Sequence, residues 1–303
     1  MIITADEENR RSSQDAGTMR WRIFTGAGLA VFLLSPFVLL GLGGSAVRTS
    51  ADAEASPKPL IAIVVATLAG LLLTRLVPPQ LPAIAPADAA HRPALTRQAV
   101  GLVGIALLLP AIVLTAEPGV WYGLVKLVLF FGGAWLLLRR WPTDWRGGST
   151  HRASMPARWR RLGPVPALLG WAYLLYYSPF AGTEDLSGYR EFDRAFLLSA
   201  MLLTFLTASL AEEIFYRMLL QTRLEALLGR WPAIMATALL FAAMHVHRIG
   251  DGPLAEMIAI MVVWNGGFGL LTGYLWARYR NIWSIVVLHT AVNSLPLLPL
   301  FLE

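Results

Sequence analysis

The chain of 303 residues contains no cysteine, and only Lys58 and Lys126 are lysines. The first absence removes disulfides, thiolate metal ligands and cysteine nucleophiles. The second leaves arginine to carry nearly all the positive charge. Charge itself is scarce: 15% of residues are charged where a soluble domain has about 25%, against 56% hydrophobic residues. No GxGxxG or Walker-type phosphate loop and no internal repeat is present. The basic balance is therefore not a nucleic-acid signal.

Long apolar runs take the place of all these. A membrane span needs roughly 20 mainly apolar residues to cross about 30 Å of hydrocarbon. Nine candidates lie near residues 23–43, 60–77, 98–116, 119–138, 164–181, 195–221, 231–247, 256–277 and 282–301. The second, fifth and seventh are short. The expected fold class is all-α, a polytopic transmembrane helical bundle of about eight or nine spans. Three regions follow: a disordered cytoplasmic tail at 1–22, an N-terminal membrane region at 23–163 with an arginine-rich loop, and a functional domain at 164–303. The first run continues into GLGGSAVRTS and reads as a retained signal anchor.

Arginine placement sets an expected orientation. With the N-terminus inside, eighteen arginines fall on the cytoplasmic side, seven of them in RRWPTDWRGGSTHRASMPARWRRL. Arg48, Lys58, Arg190, Arg194 and Arg248 fall outside. The positive-inside rule then predicts a multi-pass plasma-membrane protein, N-in and C-out, with Glu303 outside.

Polar residues at membrane depth are few, and each costs at least ~2.5 kcal/mol on insertion scales unless it has a partner or a task. In the first half there is one, Lys126 in GLVKLVLFF, which is expected to snorkel towards the outer interface. The second half holds the rest. In SLAEEIFYRMLL, Glu213 and Arg217 stand four apart on one helix face and can neutralise each other. Glu212 is turned about 100° away with no in-helix cation. It is either a candidate base or a carboxylate solvated in the headgroup zone. LLFAAMHVH places Phe241 and His245 four apart, and VVLHTAVN does the same for His289 and Asn293. Together these supply a base, two imidazoles and an amide donor, the parts needed to hydrolyse a peptide bond. His247 points elsewhere, and His91 and His151 lie in loops. Gly269 and Gly273, in NGGFGLLTGY, are a helix-packing signal.

EEIFYR, FAAMH and HTAVN resemble the EExxxR, FxxxH and HxxxN motifs of the CPBP family of intramembrane proteases, over roughly residues 195–297. That family includes type II CAAX prenyl endopeptidases and Abi proteins linked to bacteriocin self-immunity. The resemblance implies an endopeptidase acting on a membrane-associated peptide or protein, in contact with the lipid bilayer. It implies Glu212 as general base, His245 orienting the water, and His289 and Asn293 stabilising the oxyanion. Glu213, Arg217 and Phe241 would be structural support. The metal is left open. Glu212, His245 and His289 are candidate zinc ligands, yet spending Glu212 as a ligand removes the base, which favours a metal-free reaction.

Counted along the spans at ~1.5 Å per residue, Glu212 lies nearest the cytoplasmic edge, His289 deeper and His245 deepest, a spread of ~10 Å. Broken helices around a cavity open to the cytoplasm would reconcile them. Two other functions compete. A non-enzymatic immunity or scaffold protein is disfavoured by the intact motifs. A proton-coupled transporter usually shows repeated halves, and here the polar groups occupy one half only.

Overall fold

The computed structural model describes residues 5–50, 55–78, 86–145, 155–246 and 253–302, with side chains of the first helix from Met19 onward. Arg146, His151, Arg152, His247, Arg248 and Glu303 lie outside the described residues.

Nine apolar helices follow one another in the described chain. They are α1 (Ala5–Gly41), α2 (Leu60–Leu76), α3 (Arg92–Ala116), α4 (Gly119–Arg140), α5 (Val165–Tyr176), α6 (Arg194–Leu228), α7 (Arg230–Met244), α8 (Leu254–Tyr279) and α9 (Ile282–Phe301). Helix α1 begins inside segment 1–22. Six of the nine contain a stretch long and apolar enough to cross a membrane. The other three are α2, α5 and α7, at 17, 12 and 15 residues. These are the second, fifth and seventh candidates, short because their apolar runs are short. The only strands among the described residues are Ala46–Val47 and Lys58–Pro59, paired antiparallel across the α1–α2 connection.

Local chemistry sets the helix ends. The Asp193 side chain accepts from the Ala195 backbone N–H to cap α6, and Asn281 does the same for Trp283 in α9. Gly229 alone separates α6 from α7; its φ of 92° is open to glycine and strained for other residues, and it turns the chain back on itself.

The connections gather into two ends. At one, the Arg160 carbonyl accepts from Asn281, and the Val77 carbonyl accepts from Tyr279. Gln98 reaches the Trp141 carbonyl there too. At the other, Lys58 pairs with Glu184, Asp185 N–H donates to Ser56, and Trp264 donates to the Thr49 carbonyl. The arginine-rich stretch before α5 belongs to the first end.

Large apolar side chains such as Leu33 and Phe37 of α1, Leu124 and Trp135 of α4, and Leu198 and Leu202 of α6 are exposed. This is the surface that lipid, rather than water, would solvate. Inside, Phe130 of α4 stacks on Phe215 of α6 at 4.1 Å, and Tyr216 packs edge-on against both. That cluster locks α4 against α6 one turn from the acidic pair.

Candidate active site

Helix α6 is not regular where it carries the carboxylates. Two π-helical stretches, Phe205–Leu210 and Ile214–Gln221, flank a single α-turn, Ala211–Glu213. Helix α4 has a π stretch at Val128–Gly133, and α8 has one at Val262–Gly266. Such stretches interrupt the i→i+4 ladder and are common at functional sites. Because α6 runs on to Leu228, Glu212 lies near its middle, not near the cytoplasmic edge expected from a span ending at 221.

Glu213 is fully buried and doubly held. Arg217 Nε donates to its Oε2 at 3.1 Å, the pair that the four-residue spacing predicts. His289 Nδ1 lies 2.9 Å from its Oε1. With Nδ1–H donating there, the other ring nitrogen is an acceptor, and His289 Nε2 stands 3.9 Å from Glu212 Oε2. With α6 running on to Leu228, Glu212 and His289 thus meet at one depth, contrary to the depth difference expected from the shorter span.

Glu212 has a cation after all, on another helix. Lys126 Nζ of α4 is 2.6 Å from Glu212 Oε1, and both side chains are buried. Lys126 therefore does not snorkel to an interface; a carboxylate inside the protein is a better partner than distant headgroups. Glu212 Oε2 has no hydrogen-bond partner among the described residues. The Arg217 guanidinium lies over the Phe241 ring at 5.3 Å.

Phe241 of α7 touches both imidazoles, at 5.1 Å from His245 and 6.0 Å from His289 between ring centroids. His245 sits just past the end of α7, and its Nδ1 is 2.8 Å from the Phe241 carbonyl. Asn293, one turn beyond His289, donates from Nδ2 to Ser209 Oγ at 3.3 Å. The structure thus gathers Glu212, Glu213, Arg217, Lys126 and His289 by direct polar contacts. Phe241 and His245 join through ring packing, and Asn293 through α6.

A cavity of about 1180 Å³ reaches this cluster, and Lys126 and Asn293 are among its lining residues. Thr204 and Thr207 of α6 form one wall, while Ala55, Lys58, Glu184 and Tyr189 line the outer part. The cavity therefore opens at the end of the molecule opposite the arginine-rich stretch. The expectations of an N-in chain and of a cavity open to the cytoplasm cannot both hold.

Zinc is the alternative for Glu212, His245 and His289. Among the described residues no three His, Cys, Asp or Glu side chains group to hold a metal ion. The Lys126 ammonium occupies one Glu212 oxygen, which argues against Glu212 as a ligand. The Nδ1 contacts of His289 with Glu213 and of His245 with the Phe241 carbonyl engage one nitrogen of each ring, an arrangement that a metal-bound imidazole also requires.

Residues 194–295 match the family model described as Type II CAAX prenyl endopeptidase Rce1-like, so this third of the chain carries a domain of that kind. With the apolar helices, the match makes this an integral membrane protein. No curated protein and no solved structure matches the chain.

Proposed function

From the Rce1-like domain at 194–295, we propose that this protein is an intramembrane endopeptidase that hydrolyses a peptide bond in a membrane-associated substrate of CAAX-like, lipid-modified type. The observation that carries this reading is the 3.9 Å approach of Glu212 Oε2 to His289 Nε2, both buried, while Lys126, bonded to Glu212, and Asn293, one turn from His289, line the cavity. Two acceptors at that separation can share one water molecule. Glu212 takes a proton from it, and the hydroxide attacks the scissile carbonyl carbon. The carbonyl oxygen becomes an oxyanion, towards which the Asn293 amide can donate from the cavity wall. Glu212 then returns the proton to the departing nitrogen as the C–N bond breaks, leaving a carboxylic acid and an amine, between which a proton passes to give carboxylate and ammonium. Glu213 fixes the His289 tautomer, and Arg217 balances the Glu213 charge. Phe241 holds the imidazoles in place, and His245 lies at the cavity-side end of α7 to orient water or substrate. The reaction is metal-free.

Glutamine matches glutamate in shape but accepts no proton from water near neutral pH. Glu212→Gln should stay folded and lose ~10²–10⁴-fold in rate on a quenched farnesylated peptide presented to the purified protein in detergent. Retained hydrolysis would end the glutamate-base mechanism. Activity should survive a strong chelator; loss on chelation with recovery on added zinc would replace the metal-free reaction.

A further inference from the structure

We propose that Lys126, outside the matched segment, is a positioning residue for the base: its ammonium pins Oε1 of Glu212, so that Oε2 is left facing His289. This rests on the reading of Glu212 as the base. The site contains two carboxylates and two permanent partners for them. Arg217 is committed to Glu213 on its own helix, with its Nε at 3.1 Å. That leaves Lys126 as the cation bonded to Glu212. The groups facing Glu212 are Lys126 and Tyr122 of α4, His289 of α9, and Glu213, Tyr216 and Arg217 of α6. With its Nδ1–H given to Glu213, His289 presents Nε2 as an acceptor.

The geometry is specific to the task. The Lys126 bond uses one carboxylate oxygen and leaves the other with no partner among the described residues. An orphaned, buried carboxylate oxygen is expensive as a structural feature and useful as a proton acceptor. Lys126 itself is fixed from behind, with Nζ 4.9 Å from the centre of the Tyr122 ring. It stands two residues before the π stretch of α4, and Phe130 within that stretch stacks on Phe215 of α6. The ammonium is therefore delivered to Glu212 by a rigid α4–α6 contact. It also lines the cavity.

The test uses the quenched farnesylated peptide with wild type and Glu212→Gln as references. Lys126→Met should lower kcat by about 10²-fold with little change in KM. Lys126→Arg should keep most activity. As the chain has no cysteine, Lys126→Cys offers a second route. Its thiolate displaces bromide from 2-bromoethylamine, forming a C–S bond and an ammonium of nearly lysine length. Activity should return with this reagent and not with iodoacetamide. Unchanged kcat in Lys126→Met, or equal recovery with both reagents, would overturn the proposal. Thermal unfolding in detergent decides the pair without any substrate. Lys126→Met should lower Tm more than Lys126→Met combined with Glu212→Gln, since the double variant leaves no stranded charge; strictly additive losses would overturn the coupling. If wild type leaves the peptide intact, the substrate reading fails while the thermal cycle still measures whether Lys126 and Glu212 are coupled.

Discussion

Glu212 and Glu213 are neighbours in sequence with different partners, and the partners decide what each can do. Glu213 is saturated by Arg217 and His289, so it orients and neutralises. Glu212 keeps one oxygen free, so it can take a proton. Removing Glu213 strands Arg217, whose side chain is fully buried, and frees His289 to rotate. Breaking a buried pair in this way costs about 3–5 kcal/mol. Removing Glu212 strands Lys126, which lines the cavity and can reorient into it. Glu213→Ala should therefore melt at lower temperature than Glu212→Ala in detergent, and equal melting would show that cavity access gives Lys126 no relief. Asn293→Ala should melt like wild type and lose ~10²–10³-fold in kcat, measured on the same peptide. Of these residues, the Glu213–Arg217 pair was legible because it lies within one helical turn. The Lys126–Glu212 pair spans 86 residues and was not. A lone lysine in an apolar run carries no mark of which helix will supply its counter-charge.

Helix lengths were legible where lipid is the solvent and misread where protein is. By its apolar pattern the sixth span ends at 221, because Arg223 and Glu225 follow. In the structure α6 continues, since neighbouring helices satisfy those groups. Gln221 Nε2 donates to the Gly273 carbonyl at 2.8 Å, Arg223 Nε donates to Gln98 at 2.7 Å, and Glu225 pairs with Arg280. The π stretches were equally hidden, because a 3.6-residue pattern assumes the ladder that they interrupt. The small-residue signal in α8 fared better, and it discriminates between glycines. A methyl group at Gly269 would sit 3.1 Å from the Ala238 backbone of α7, whereas one at Gly267 would meet Thr67 no closer than 3.6 Å. Gly269→Ala should cost about 1–3 kcal/mol of stability through overpacking. Gly267→Ala should be neutral or gain up to ~1 kcal/mol from helix propensity. Paired melting curves check the difference, and equal losses would mean that α7 and α8 can separate freely.

At the scale of the whole molecule, the two ends differ in charge, and the described cavity opens at one of them. The cavity mouth, with Ala55 and Tyr189, shares its end with the Lys58–Glu184 pair and the α1–α2 strands. Arg158, Arg160 and Arg161 lie at the opposite end, before α5. Arginine-rich segments are retained in the cytoplasm during insertion. If that rule governs this chain, the mouth faces away from the cytoplasm, and the substrate is a peptide presented on the outer side. The absence of cysteine gives a clean measurement. Single cysteines at Ala55 and at Arg158 are exposed in intact cells to a membrane-impermeant maleimide. Ala55→Cys should react at once, and Arg158→Cys only after the membrane is permeabilised. The reverse pattern would turn the cavity to the cytoplasm and make this chain an exception to the arginine rule. Reaction of both from the same side would contradict the odd number of crossings between residues 55 and 158, made by α2, α3 and α4, and with it the nine-span arrangement. Orientation also restricts chemistry: an outward mouth excludes substrates that remain in the cytosol, so a farnesylated peptide supplied to purified protein could be cut while its cytosolic counterpart in the cell is not. Comparing cleavage in detergent with cleavage in intact cells, for one peptide anchored on either face, separates what the site can hydrolyse from what it meets.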